Sequence, residues 1–212
     1  MYNNVLGVVS VRQNKNPALY DVFCDVSEIC DQIIVCDPSK KLADNEVRML
    51  NDVFEAEITD SDISELEYDE YAPEWVFACY NDERPSRRFR YMKVGLCMNP
   101  FINVWTAKYR CLWEVEDQYR VDSGWSEIEK AFLYKYSHET NYKWGKGLIP
   151  INQPGPMESC MLDVYSYRYL DEIRRKNAFK DCLKHPDYYT NGQRRLLLSL
   201  DDSEIMISTA VN

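Results

Sequence analysis

Apolar and polar positions alternate in short blocks along the first part of the chain. A β-branched run from Val5 to Val11 stops at a polar loop, which predicts a buried strand. Apolar side chains then recur every three or four positions over residues 18–30, as on one face of a helix. A second apolar run, Gln32 to Cys36, predicts another buried strand, and Asp44 or Asn45 is suited to cap the helix after it. Strand and helix therefore follow one another in turn.

The blocks after residue 54 continue this alternation. Residues 54–58 predict a short third strand, an acidic segment follows, and the apolar run that begins at Trp75 predicts a fourth strand. This order of buried strands and helices is typical of a parallel α/β sheet that binds nucleotides. The sequence contains neither a Gly-x-Gly-x-x-Gly motif nor a P-loop motif, so the common dinucleotide and P-loop classes lose their main support.

After the Trp75 strand the sequence predicts one more helix, and from residue 103 onward the chain is richer in aromatic residues. Ser86 is suited to cap a helix whose first turns carry Arg87, Arg88 and Arg90, either as a solvated face or as a phosphate-binding group. The later elements predicted here are strands (residues 103–106, 109–115 and 131–136), a polar loop (117–125), a candidate lid (143–156), a short apolar run (161–165) and an amphipathic helix (169–183). Together with the first half, these elements predict a single α/β domain.

Composition and charge narrow the function classes. The chain has 212 residues, of which 45% are hydrophobic, and its formal net charge is -10. It can therefore bury a core, and it is poorly suited to coat nucleic acid, which is bound through Lys and Arg. The eight cysteines include no pair at the two-residue spacing of zinc sites, which predicts free thiols in a reducing compartment. Since no apolar run is long enough to span a membrane and the first residues are not a signal peptide, we expect a cytoplasmic protein.

The candidate site with the clearest pattern lies where the Trp75 strand ends. The polarity changes there to the adjacent carboxylates Asp82 and Glu83, which Arg84 follows. In open α/β sheets, ligands bind at the carboxyl ends of the strands. This stretch is therefore interpreted as the edge of a ligand site, and a core strand that runs into an ordinary acidic turn is the alternative.

These motifs together resemble a known family. The Trp75-Val76-Phe77 strand that leads to Asp82-Glu83, the earlier Ile33-to-Asp37 run and the later Tyr119-to-Trp125 stretch are similar to nucleotide-sugar-dependent glycosyltransferases of the GT-A fold. The resemblance is to the small family-2-like enzymes of bacteria, phages and large DNA viruses, and it covers roughly Val5 to Pro186. It implies a Rossmann-like mixed sheet flanked by helices in one domain. Residues 1–100 would bind the nucleotide sugar, and residues 101–212 would bind the acceptor.

The resemblance also implies a metal site. In that family an Asp-x-Asp signature holds a divalent ion, and it aligns here with Tyr80 and Asp82, with Glu83 beside them. A tyrosine oxygen is a poor ligand for a hard cation, which prefers carboxylates. Either fewer protein ligands hold the metal, or the metal binds weakly, or the activity is independent of metal. Asp163 stands where the family places a second ligand, commonly histidine, and an Asp there is competent to bind Mn²⁺ or Mg²⁺. The alternative for Asp163 is an acid that points from a strand into solvent.

The nucleoside position follows from the same resemblance. Ser10, Val11 and Arg12, at the exit of the first strand, would cradle the nucleoside together with Asp37, which would accept hydrogen bonds from uracil or ribose. The Tyr80 hydroxyl is suited to bond a ribose. The lysines after Asp37, at positions 40 and 41, would either meet phosphate or be solvated.

The catalytic residues implied by the resemblance lie in the polar loop of the second half. Inverting transfer needs a general base opposite the leaving diphosphate, and Asp122 matches that position, with Asp117 in reserve. Trp125 would stack on a sugar, and Arg120 would orient a diphosphate or an acceptor carboxylate. Arg84 would help to offset the leaving-group charge. A simple Asp-Ser-Gly turn at 122–124 is the alternative.

The function implied is therefore transfer of a sugar from a nucleoside-diphosphate donor, UDP-linked in the first instance, to a glycan, a glycoprotein or another hydroxyl acceptor. Inversion and assistance by Mn²⁺ or Mg²⁺ are expected, and the location is the host cytoplasm if the chain is viral. One alternative is a related module that only binds a nucleotide or glycan. A second is a nucleotidyltransferase, although the Gly-rich basic loop of that class is missing.

Overall fold

Four parallel strands form one half of the central sheet. They are β1 (Val5–Ser10), β2 (Gln32–Cys36), β3 (Glu57–Thr59) and β4 (Trp75–Tyr80), and they lie in the order β3-β2-β1-β4. Helix α1 (Leu19–Ser27) connects β1 to β2, and helix α2 (Asp44–Phe54) connects β2 to β3. Two short 3-10 helices, residues 63–65 and 68–71, precede β4. The structure is a computed structural model, which describes residues 4–12, 16, 18–113, 115–121, 128–137, 144–145, 148–150, 155–184 and 207–209.

The other half of the sheet is largely antiparallel. Its elements are β5 (Glu83–Pro85), α3 (Arg88–Cys97), β6 (Val104–Trp113), β7 (Val115–Arg120), β8 (Glu129–Lys135), β11 (Met157–Ser166), α4 (Glu172–Lys184) and β12 (Ile207–Thr209). Strand β8 pairs with both β4 and β6 in antiparallel fashion, whereas β11 runs parallel to β6 and antiparallel to β5. Strands β9 (Trp144–Gly145) and β10 (Ile149–Pro150) form a separate pair. The predicted α/β class, with a mixed sheet flanked by helices, is confirmed.

Three of the parallel strands, β1, β2 and β4, are buried on both faces of the sheet, whereas β3 is not. In β4, the side chains of Trp75, Phe77 and Cys79 belong to one core cluster, and those of Val76 and Ala78 belong to the other. The first cluster includes the apolar faces of α1 and α3, and the second includes the segment of 3-10 helices before β4. Because both faces are covered, these strands are unbroken apolar runs, and the sequence identifies them readily.

The first-half predictions are confirmed, with local differences. The runs at Val5, Gln32 and Trp75 are the predicted strands. Helix α2 begins at Asp44 after Ala43, whose N–H donates to the Glu46 carboxylate, so neither Asp44 nor Asn45 is its cap. The third strand begins at residue 57 rather than 54, because α2 continues to residue 54 and residue 55 takes a left-handed φ of 52°.

The second half differs more from the prediction. The predicted strands 103–106 and 109–115 are one strand, β6, whose register with β8 shifts between Trp105 and Thr106. Residues 117–120 belong to strand β7 rather than to a loop. Helix α3 begins at Arg88, so Ser86 lies before its cap position, and the last predicted helix is α4. Half of the residues in the lid prediction for 143–156 lie outside the described residues.

Two features of the described residues bear on the composition-based predictions. Cys24, Cys30, Cys36, Cys79, Cys97, Cys111 and Cys160 are free thiols, as expected. Within the ranges given above, no helix has the length and apolar character needed to cross a membrane.

Two glycines give opposite predictions for the same substitution. A Cβ on Gly7, in β1, would lie 2.8 Å from Cys30 Sγ and 3.1 Å from Cys30 Cβ, whereas a Cβ on Gly95, in α3, would meet nothing within 4 Å. We expect Gly7→Ala to lower the free energy of unfolding by about 1–3 kcal/mol through overpacking. Gly95→Ala should raise it by about 0.5–1 kcal/mol, because alanine loses less entropy in a helix. Urea denaturation measures both, and effects of the same sign would contradict this packing.

Candidate functional site

The strand order reverses at β1. The chain moves from β1 to β2 and β3 on one side and then returns to place β4 on the other side of β1. The ends of β1 and β4 are therefore neighbours, with Ser10 level with Tyr80. In open α/β sheets the crevice outside the carboxyl ends of the strands at such a switch point is the usual ligand site. The candidate site is thus built by the residues that follow β1 and β4.

Hydrogen bonds hold these two exits together. Asn81 donates its N–H to Ser10 O at 3.0 Å, and Arg12 donates its N–H to Asn81 Oδ1 at 3.1 Å. The side chain of the buried Asn16 donates to Asn81 O at 2.7 Å. Both exits are therefore fixed relative to each other by main-chain and amide contacts.

Four charged side chains meet at this edge. Arg12 Nε lies 2.8 Å from Asp82 Oδ1, and Arg12 Nη2 lies 3.3 Å from Glu83 Oε1. Lys130, from β8, donates to Glu83 Oε1 at 2.8 Å and to Glu83 Oε2 at 2.7 Å. These four residues are called the charge cluster below. Its two positive and two negative groups balance.

Aromatic side chains surround the charge cluster. The Arg12 guanidinium carbon lies 3.9 Å from the centre of the Tyr80 ring, and Lys130 Nζ lies 4.7 Å from it. The Tyr109 hydroxyl donates to Glu83 Oε1 at 3.0 Å, and the Tyr80 N–H donates to Glu83 Oε2 at 2.9 Å. The Tyr80 ring therefore takes part in cation–π contacts, and Glu83 is held by four donor groups.

The four members of the charge cluster differ in how deeply their side chains are buried. The side chains of Asp82 and Glu83 are 0% and 1% exposed, whereas those of Arg12 and Lys130 are 18% and 11% exposed. Asp82 Oδ2 is buried and accepts no hydrogen bond from the described residues. Arg12 and Lys130 are therefore the more exposed members of the charge cluster, and the two carboxylates are its fully buried members.

The electrostatics keep Glu83 ionised. Burial disfavours its carboxylate, but Lys130 and Arg12 outweigh burial, so the pKa of Glu83 lies below its usual value. Burial likewise opposes the charge on Arg12, yet Asp82, Tyr109 and Glu83 hold the pKa of Arg12 well above its usual value. The Glu83 carboxylate and the Arg12 guanidinium are consequently both charged at neutral pH.

A pH dependence of stability follows from Glu83. Since its folded-state pKa is lowered, its stabilising contribution is complete above the unfolded-state pKa of about 4.3 and is lost as the pH falls through the folded-state value. We expect the free energy of unfolding to fall more steeply below about pH 4.3 in the wild type than in Glu83→Gln. Urea denaturation between pH 7 and pH 3 measures both slopes. Equal slopes would contradict a carboxylate stabilised by Lys130 and Arg12.

The predicted metal ligands are engaged with cations. Asp82 and Glu83 pair with Arg12 and Lys130, and Asp163 Oδ1 lies 2.8 Å from Arg110 Nε. In the part of the chain that the structure describes, no three His, Cys, Asp or Glu side chains are grouped so as to hold a metal ion. Asp82 Oδ2 has coordinating capacity to spare, but a divalent ion there would lie against Arg12. The described residues therefore do not fit a metal site built from Asp82, Glu83 and Asp163.

The predicted nucleoside residues lie beside the crevice. Asp37 is buried, and its carboxylate accepts from the N–H groups of Lys41 and Leu42, both at 2.9 Å, so it shapes the loop after β2. Val11 packs in the core and donates its N–H to Cys36 O at 2.9 Å. Lys41 Nζ donates to Arg12 O at 3.1 Å, which brings this lysine to the crevice.

Lys40 and Arg90 make ion pairs at the surface. Lys40 pairs with Asp60, and both side chains are exposed. Arg90 of α3 lies 2.8 Å from Glu28 at the surface. For this arginine the structure therefore shows a solvated helix face, which was one of the two alternatives. We assign none of these pairs to the site.

The remaining predicted residues are not brought to the charge cluster by any described contact. Arg84 pairs with the buried Asp25 of α1 and thereby joins β5 to that helix. Arg120 is buried in β7. The backbone of Asp117 lies in β7, but its side chain, like the whole of Asp122 and Trp125, lies outside the described residues.

Sequence reasoning missed Lys130 and Tyr109. Lys130 directly precedes the apolar run of β8, and Tyr109 lies inside the predicted aromatic strand. The only available signal was a lone lysine at the start of a buried strand. Its meaning depends on the antiparallel pairing of β8 with β4, which places the beginning of β8 beside the end of β4.

No protein-family model matches this chain, and no curated protein matches it in sequence. The functional assignment therefore rests on the switch-point geometry and on the charge cluster.

Proposed function

We propose that this chain is a nucleotide-sugar-dependent glycosyltransferase whose donor binds in the crevice outside β1 and β4. The observation that carries the proposal is the charge cluster at the point where the strand order reverses. A switch point favours a nucleotide ligand, and partly exposed cationic side chains there suit a diphosphate. The sequence resemblance to GT-A enzymes supports the same function.

The donor would lie across the ends of three strands. The nucleoside fits next to the exits of β1 and β2, where Ser10 is level with Cys36 and Asp37 follows. The diphosphate would then lie at the exit of β4, next to Arg12 and Lys130. Tyr80, between these cations, would contact the ribose or the sugar. The antiparallel half of the sheet would hold the acceptor.

The reaction proposed is a displacement at the anomeric carbon. An acceptor hydroxyl oxygen forms the new bond to that carbon as the bond to the diphosphate oxygen breaks, and the nucleoside diphosphate leaves with the bonding electrons. The hydroxyl proton passes to a general base, for which Asp122 and then Asp117 stay the predictions. Cations fixed before the reaction stabilise the charge that develops on the leaving oxygen.

A screen of nucleotide sugars tests this function. Purified chain is incubated with UDP-, GDP- and dTDP-sugars, with EDTA or with Mn²⁺, and melting temperature and nucleotide release are followed. We expect one donor to raise the melting temperature and to transfer its sugar slowly to water or to a glycan acceptor, with release of the nucleoside diphosphate. Lys180→Met, a change on the exposed face of α4, serves as a control and should behave as wild type.

The other outcomes discriminate the alternatives. Pyrophosphate release would indicate a nucleotidyltransferase, and stabilisation without any turnover would indicate a binding module. If none of the donors stabilises the protein or is consumed, the glycosyltransferase proposal is wrong.

A further inference from the structure

We infer that Arg12 and Lys130, rather than a divalent metal ion, bind the diphosphate of the donor, and that Asp82 and Glu83 are positioning residues. The inference rests on the proposed function and concerns the same crevice. It reassigns the two carboxylates that the sequence resemblance gives to a metal.

The cations of the charge cluster are more accessible to a ligand than its carboxylates. A ligand that enters the crevice meets the partly exposed Arg12 and Lys130 side chains before it meets the carboxylates, which are 0% and 1% exposed. A metal ion that bridges a carboxylate and a diphosphate must touch both. Within the charge cluster only the two cationic side chains have appreciable exposed surface, so they, rather than the carboxylates, are the groups that phosphate oxygens can reach.

Hydrogen-bond donors of the protein already occupy most of the carboxylate oxygens in the charge cluster. Both oxygens of Glu83 accept from Lys130, and they also accept from Tyr109 and from the Tyr80 N–H. One oxygen of Asp82 accepts from Arg12. An ion at Glu83 would have to displace several charge-assisted hydrogen bonds and would lie against two positive groups.

The same contacts hold the Arg12 and Lys130 side chains in fixed positions. Arg12 is oriented by two carboxylates and lies against the Tyr80 ring, and Lys130 is oriented by Glu83 and lies against the same ring. Fixed cations of this kind can offset phosphate charge without reorganisation.

The test compares UDP with uridine, which shares the base and ribose but has no phosphate. Isothermal titration calorimetry measures the affinity of each ligand, once in the presence of EDTA and once in the presence of Mn²⁺. We expect wild type to bind UDP with an affinity that Mn²⁺ changes by less than about threefold, well short of the change of about tenfold or more expected when a charge-assisted contact is gained. The same measurements with GDP and guanosine test a donor whose nucleotide carries guanine.

The informative variant is the double change Glu83→Gln with Lys130→Met, which leaves no unpaired lysine or glutamate charge in the core. It should lose about 10-fold to 100-fold in UDP affinity and keep its uridine affinity, because charge-assisted contacts to phosphate are removed. Lys130→Arg should retain UDP binding, and Lys180→Met should match wild type. A change in the ratio of UDP to uridine affinity is not expected from a purely structural role.

Two results would overturn the inference in distinguishable ways. A gain of about tenfold or more in UDP affinity with Mn²⁺, abolished by Asp82→Asn, would assign the carboxylates to a metal and leave the proposed function standing. A failure of UDP, GDP and their sugars to bind in every arm would remove the proposed function and this inference together.

Discussion

Replacement of Lys130 by methionine is expected to lower the free energy of unfolding by about 3–5 kcal/mol. The reason is that Glu83 is almost fully buried and receives two of its hydrogen bonds from Lys130 Nζ, at 2.7 and 2.8 Å. Without the ammonium group, the carboxylate keeps only Arg12 as a charged partner, at 3.3 Å. Urea denaturation at pH 7 measures the loss.

A double-mutant cycle separates the ion pair from simple packing. Glu83→Gln alone should also destabilise the fold, since it leaves Lys130 in excess. The double variant should be more stable than either single variant, because no uncompensated charge is left in the buried part of the cluster. Lys180→Met, on the exposed face of α4, should change stability by less than about 0.5 kcal/mol. A Lys130→Met effect as small as that of Lys180→Met would contradict the buried pair.

The second large effect is expected at Phe77 in β4. Its side chain is fully buried, and its ring lies 5.9 Å from the Phe89 ring in an edge-on contact and 6.2 Å from the stacked Phe132 ring. Truncation to alanine removes these contacts and opens a cavity between α3 and the sheet. We expect the free energy of unfolding to fall by about 3–5 kcal/mol.

Phe101 provides the matched control for this substitution. It is 77% exposed, so Phe101→Ala removes the same atoms from a site that contributes little to packing. Its effect should stay below about 0.5 kcal/mol. Thermal and urea unfolding of the two variants give the comparison. Similar losses at both positions would show that β4 is not the centre of the core.

Strands β1, β2 and β4 of the parallel half were predictable from the sequence because they are buried on both faces. Such strands must be apolar along their whole length, so Val5, Gln32 and Trp75 begin runs that stand out from their polar flanks. The same logic places Arg12 and Asp82 at the sheet edge, since each lies two positions after the last residue of a strand. These residues could be found without knowledge of long-range pairing.

The antiparallel half was less predictable because its contacts are not local. The pairing of β8 with β4 brings Lys130 to Glu83, 47 positions earlier in the chain. The pairing of β11 with β6 places Asp163 near Arg110, 53 positions apart. Local pattern carries no information on such partners. For this reason the sequence assigned Glu83 and Asp163 to a metal ion, whereas the structure gives each a cationic side chain.

Tyr80 shows how this difference changes the interpretation of the site. At the sequence level it stands where the GT-A resemblance expects a carboxylate. In the structure its ring contacts Arg12 and Lys130, and its N–H donates to Glu83. The side chain therefore contributes to holding the cations, a task that requires an aromatic face and no acid.

The most direct test of the central claim is a crystal structure of the chain with UDP in the presence of EDTA. The nucleotide should lie outside the ends of β1 and β4, with its diphosphate oxygens within hydrogen-bond distance of Arg12 and Lys130. The contradicting result is UDP bound elsewhere, for example in the cavity of about 390 Å³ lined by Asp31, Glu57 and Tyr71. A crevice that stays empty at saturating UDP would contradict the account equally.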